Sequence, residues 1–234
     1  MNINDVKARL DAIGNIKIVF EPSIYQESLI SKKNLESVLE SARVSLRGWS
    51  FPHVPIEDRD DGKRPYSIGN GIEFYTCWEK YIEIFRLHQS GQFLGRFAMY
   101  EDTIGEVGGN KIVPGAYLDF LSLIYRLTEV VLFIRNLVEA ADMKGGSLTV
   151  ELHKVRDREL ESLFSFNIPS FHSNYVCRMD EIVVTQVFDR ECILKDPNII
   201  SREIIKSIFE DFNWKNYSDE MIKTHQENLV NRRI

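Results

Sequence analysis

Apolar residues along this chain alternate every second position in some stretches and recur every third or fourth in others, so the two periods mark out strands and helices. Residues 81–100, YIEIFRLHQSGQFLGRFAMY, organise the rest. Aromatic and β-branched residues flank Gln89-Ser90-Gly91-Gln92, and Gly91 supplies the positive φ that tight turns need, so the stretch predicts a β-hairpin. A two-residue Ser90-Gly91 turn sets His88 against Phe93, Leu87 against Leu94 and Ile84 against Phe97. One face then carries Ile82, Ile84, Phe93, Phe97 and Met99, with Arg86 and His88 near the turn. The other carries Tyr81, Phe85, Leu87, Leu94 and Tyr100, with Glu83 and Arg96 among them. Both faces are largely apolar, which places the pair centrally in a covered sheet. Trp78, Tyr81, Phe85 and His88 also fall at helical spacing, so a helical first arm is the alternative.

The same reading extends along the chain. Residues 3–14 form a short helix with Val6, Leu10 and Ile13 on one side, and residues 16–20 form a strand ended by Pro22. Ser31 caps a helix over 32–46, stopped by Gly48. Trp49 and Phe51 share one side of a short strand near Pro52. The acidic run 57–65 is an exposed loop, and residues 72–78 form another strand. The longest helix, about 116–141 with Pro114 before it, is apolar on most sides. Its polar residues Asp119, Ser122, Arg126 and Glu129 share one narrow stripe, as in a central, buried helix. Residues 148–155 and 181–189 are strands separated by an irregular stretch around 164–173. Ser201 and Ser218 cap two C-terminal helices, which close the core or join a dimer. The expected class is therefore α+β: a mainly antiparallel sheet around the 81–100 hairpin, packed on a long buried helix, with C-terminal helices. Residues 31–234 make one domain, and residues 1–30 an appended segment.

A length of 234 residues with 44% hydrophobic and 27% charged residues suits a globular domain with a substantial core. The net charge of −6 argues against broad nucleic-acid binding, which needs a basic surface, and leaves room for only a small basic patch. Three scattered cysteines, Cys77, Cys177 and Cys192, suit the reducing cytoplasm. No secretory signal is predicted, and charges at Asp119, Arg126, Glu129 and Arg135 argue against a membrane span in the most apolar stretch.

Familiar catalytic motifs are absent. The five histidines form no HxH or HExxH pair, there is no CxxC, and no metal or cofactor is expected. Asp58, Asp60 and Asp61 lack the rest of a calcium loop, the glycines near 105–109 lack a following Lys-Ser/Thr, and Cys177 with His172 makes no case for a dyad. Glu151 and Lys154 are strand surface. What remains is a polar set: Arg47, Trp49 and His53 in one segment, Arg86, His88 and Gln89 near the hairpin turn, and Arg126 on the long helix. Arginine beside an aromatic ring suits phosphate, carboxylate or base recognition. The alternative for each is pairing within the core, and Arg126 can simply pair with Glu129 three residues on.

Residues 45–54 (SLRGWSFPHV), 85–93 (FRLHQSGQF), 122–133 (SLIYRLTEVVLF), 150–153 (VELH) and the tail from Phe188-Asp189-Arg190 to Asn213-Trp214 occur in an order that resembles the C-terminal region of bacterial Schlafen-type, AlbA-like ATP-binding regulators. The resemblance spans about 36–230. Nothing here matches that family's N-terminal domain, so its nucleotide chemistry is not carried over. The resemblance implies a recurring domain in a regulatory or antiphage-defence setting and supplies no catalytic residue.

The resulting expectation is a non-enzymatic regulatory or sensing module that binds a small anionic ligand, a partner protein or a second copy of itself. The alternatives are a nucleic-acid-associated protein, or a hydrolase or nuclease whose site is assembled in space. A deep pocket holding two carboxylates, or a metal, favours the last.

Overall fold

A computed structural model describes residues 2–164 and 174–233. In chain order it contains helix α1 (Ile3–Ala12), strand β1 (Asn15–Pro22), helix α2 (Leu35–Ala42) and strands β2 (Gly62–Ser67), β3 (Gly71–Trp78), β4 (Tyr81–His88) and β5 (Phe93–Ala98). The short strands β6 (Glu106–Val107), β7 (Asn110–Lys111) and β8 (Tyr117–Asp119) lead into helix α3 (Phe120–Ala140). Strands β9 (Gly145–His153), β10 (Glu159–Glu161) and β11 (Glu181–Asp189) follow, then helices α4 (Arg190–Lys195), α5 (Pro197–Asp211) and α6 (Asp219–Val230).

The protein is α+β. Its seven-stranded sheet, in the order β11-β9-β1-β5-β4-β3-β2, is antiparallel throughout. The 81–100 hairpin is β4–β5, and both arms are strands. One face of the sheet lies against α3. There Phe51 meets Phe85, Phe97 and Phe133 edge-on, at centroid distances of 5.5–5.8 Å. α2, α5 and α6 pack against α3. Ile204, Ile205, Ile208, Phe209 and Phe212 are buried, so the C-terminal helices close the core. The other face is covered over β3–β5 by Val6 and Leu10 of α1. Over β11 it is open, and Val183 and Val187 are exposed. No described helix is long and apolar enough to cross a membrane.

The hairpin register differs from the expectation by one residue. Leu87 pairs with Phe93, Phe85 with Gly95 and Glu83 with Phe97. The connection is longer than Ser90-Gly91, because the Gly91 N–H donates to the His88 carbonyl and the His88 N–H to that of Gln92. A one-residue slip moves a whole strand's side chains to the other face. Here it sets Phe93 and Phe97 beside Phe85 and Leu87 on the α3 side, and leaves Ile82 and Ile84 under α1.

Other boundaries move too. Residues 1–30 are not appended, since β1 lies between β5 and β9 in mid-sheet. Ser31 makes no side-chain cap; a short 3-10 turn (Lys32–Asn34) precedes α2, which ends at Ala42 rather than near Gly48. Trp49 lies in no strand; a single bridge, Val44 to Phe51, closes its loop. Ser201 does not begin α5 but lies buried inside it, where its hydroxyl accepts a bond from Gln226, and Pro197 opens the helix. Ser218 does cap α6, through the Met221 N–H. The irregular stretch expected around 164–173, His172 included, falls outside the described residues from 165 on.

Candidate functional site

The polar stripe of α3 faces a cleft of about 360 Å³. Asp119 caps the helix by accepting the Ser122 N–H at 2.6 Å, and Ser122 and Arg126 follow it along the cleft wall. The bridged loop over 44–51 delivers Arg47 and Trp49. Strand β4 delivers Tyr81, and the 3-10 turn after β5 delivers Tyr100 and Glu101.

The aromatic wall is a tier of rings. Trp49 lies between His53 and Tyr81, with centroids 3.8 Å away on either side and planes within 16° of parallel. Trp78 extends the tier at 5.9 Å from Trp49. Burial, with Arg43 nearby, pulls the His53 imidazole down to about 4, so it stacks as a neutral ring at neutral pH.

Charge in the cleft is arranged unevenly. Arg47 grips buried Glu129 with both limbs, Nε at 3.1 Å and Nη2 at 2.7 Å. Arg126 does not pair with Glu129, its helical neighbour. It lies over the rings of Phe51 and Phe97, at 5.7 and 5.1 Å, with Nη2 3.9 Å from Glu83. That distance is too long for a hydrogen bond. Glu83 instead accepts the Trp49 Nε1–H at 3.3 Å, and burial pushes its carboxyl up to about 7 against the pull of Arg126. Arg126 Nη1, Glu83 Oε2 and the hydroxyl of Thr76, which pairs with Glu83 across β3–β4, are buried with no hydrogen-bond partner among the described residues. Glu101 and Asp119, which also line the cleft, are buried carboxyls, both raised by burial, Glu101 to about 7 with Asp119 beside it. Their oxygens hold backbone: Glu101 accepts the Asp119 N–H at 2.6 Å, and Asp119 accepts Leu163 at 2.7 Å.

Of the polar set read from the sequence, Arg47, Trp49 and Arg126 line the cleft and His53 supports Trp49 from behind. Arg86, His88 and Gln89 do not join them. Arg86 points to the α1 face of β4 and binds buried Glu73, which also takes the Tyr66 hydroxyl. His88 contacts Asn70 at 3.2 Å, and Gln89 bonds the Ile30 carbonyl at 3.3 Å. The strand's period of two separates Arg86 from Glu83 and Tyr81. Sequence reasoning missed Glu83, Glu101 and Tyr100. The only sequence signal for the two glutamates is an acid set among apolar strand and turn residues, a pattern that marks a buried charge.

Fold and cleft together define an α+β protein with a ligand-sized, aromatic-walled cavity beside its central helix. No family model matches the chain, and neither does any curated protein or solved structure.

Proposed function

We propose that this chain is a regulatory or sensing module whose cleft binds a small anionic ligand carrying a flat ring, without chemical turnover. One observation carries the reading: the Arg126 guanidinium lines the cleft with Nη1 unpartnered, and its nearest carboxyl is 3.9 Å away. An arginine without a matched carboxylate suits a ligand's carboxylate or phosphate, and the stacked Trp49 and Tyr81, which line the cleft, suit edge-on contact with its ring. The resemblance to Schlafen-type regulators adds a bacterial regulatory or defence setting, and the cysteines, two of them buried thiols, add a cytoplasmic one. A partner protein or second copy of the chain is the alternative occupant.

A panel of aromatic carboxylates and nucleoside monophosphates, with the matching neutral nucleosides as controls, tests this by calorimetry. At least one anion binds saturably and more tightly than its neutral counterpart, and Arg126→Gln weakens it. Equal binding by Arg126→Gln, or no saturable binding, removes the proposal.

The buried Glu101–Asp119 pair favours a second reading, a hydrolase. Their bonds to the helix cap and to the backbone at Leu163 tie them to structure instead. Hydrolysis of a chromogenic ester or phosphodiester that is lost in Glu101→Gln would reverse the order of the two readings.

A further inference from the structure

On the open face of the sheet, away from the cleft, Glu151, His153 and Glu181 offer two carboxylate oxygens and one imidazole nitrogen, all within 4.8 Å of one another. Strand geometry builds the set. Glu151 and His153 are two apart on β9 and share its outer face, and Glu181 of β11 is the register partner of His153. Both ring nitrogens of His153 face a carboxylate: Nε2 is 3.2 Å from Glu151 Oε2, and Nδ1 is 3.7 Å from Glu181 Oε2. Lys17, the register partner of Glu151 on β1, donates to both oxygens of that carboxylate, at 2.8 and 3.0 Å, and fixes its orientation. It also neutralises one of the two acids, so an incoming cation meets one net negative charge.

We propose that Glu151, His153 and Glu181 form a binding site for a divalent transition-metal ion, independent of the cleft and of any ligand it takes. The donors select the ion class. No thiolate is present to favour Cu(I), and the imidazole nitrogen disfavours Mg²⁺ and Ca²⁺, which take oxygen. Two oxygens and a nitrogen suit Zn²⁺, Co²⁺ or Mn²⁺. The His153 and Glu181 side chains are 28% and 45% exposed, so remaining coordination positions are open to water. The sequence signal is Glu-x-His on a strand, which contains neither of the familiar histidine-pair motifs.

The test is titration of the full chain with Zn²⁺ by calorimetry and with Co²⁺ by visible absorption. One ion per chain binds at micromolar concentration. His153→Gln and Glu181→Gln each weaken it about tenfold or more. Circular dichroism of both variants stays native, since both side chains are partly exposed, and His88→Gln on the far strands leaves binding intact. If no saturable binding occurs, if binding survives both variants, or if His88→Gln abolishes it, the site does not exist. Should His153→Gln not fold, Glu181→Gln on the edge strand decides alone.

Discussion

Two arginines with carboxylate neighbours, Arg158 fully buried and Arg126 partly so, are finished differently. Arg158 meets Asp102 through two bonds, at 2.8 and 2.5 Å, and its Nε and Nη1 also donate to the Lys154 and Tyr117 carbonyls. Asp102 in turn accepts the Gly14 and Gly115 N–H groups. Every nitrogen of that guanidinium has a partner, so the pair is a strut joining β1, the turn after β5 and the chain after β9. Arg126 has a distant carboxyl, two phenyl rings and an unpartnered Nη1 at a cleft wall. A satisfied ion pair holds its neighbours in place, whereas an unsatisfied buried group is costly to keep. The comparison therefore separates a satisfied pair from one with open hydrogen-bonding capacity, the feature on which the proposed ligand site rests.

The largest effect belongs to the strut. Arg158→Met leaves Asp102 buried without its cation and costs about 3–5 kcal/mol of stability in urea unfolding. Gly14→Ala attacks the same strut from the backbone, because a Cβ there meets Arg158 Nη2 at 2.0 Å. If Arg158→Met costs no more than Arg126→Gln, the contrast between the two arginines collapses.

Next in size is a pH effect from the cleft acids. Glu101 is raised from 4.5 to about 7 by burial, so the folded state holds its proton more tightly than the unfolded chain does. The stability this contributes is complete below pH 4.5 and is lost as pH rises through 7, by about 3 kcal/mol. Across this window the melting temperature of the wild type drops relative to that of Glu101→Gln, whose amide oxygen still accepts the Asp119 N–H; the lowered His53 imidazole acts in the opposite direction in both proteins and cancels in the comparison. An equal slope in the variant contradicts the assignment.

Arg126→Gln acts on binding. Loss of one charge-assisted contact weakens the anionic ligand by about 1.5–3 kcal/mol, roughly ten- to a hundredfold, with a smaller stability loss than Arg158→Met. The smallest effect is at Arg86. Arg86→Ala removes the cation beside Glu73 but leaves the Tyr66 hydroxyl as donor, and the arginine side chain is 40% exposed. It costs about 1 kcal/mol and leaves ligand affinity unchanged, because the residue sits on the opposite face of the sheet from the cleft.

Much of the fold was legible in the sequence because period and turn chemistry act locally. The β4–β5 hairpin, the buried α3, the strand at 181–189 and the Ser218 cap follow from residues within a few positions of one another. The α3 stripe was legible for the same reason, since Asp119, Ser122, Arg126 and Glu129 share a face by helical geometry alone. The hairpin register was not legible. Phe85, Phe93 and Phe97 reach the same side only through a longer turn, and the benefit of that choice comes from Phe51 and Phe133, which lie distant in the chain.

The same division holds for the two candidate sites. Residue type and periodicity by themselves singled out Arg47, Trp49, His53 and Arg126 as candidates for recognition, and Arg86 equally. Only the tertiary structure decided which of them meet. It gave Glu129 to Arg47 rather than to Arg126, and turned Arg86 to the other side of the sheet. It also brought Glu181 across to Glu151 and His153. The physical reason is that a side chain's partner is set by register and layer, and these are fixed by the packing of the whole core, whereas propensity reports only on the backbone at that residue.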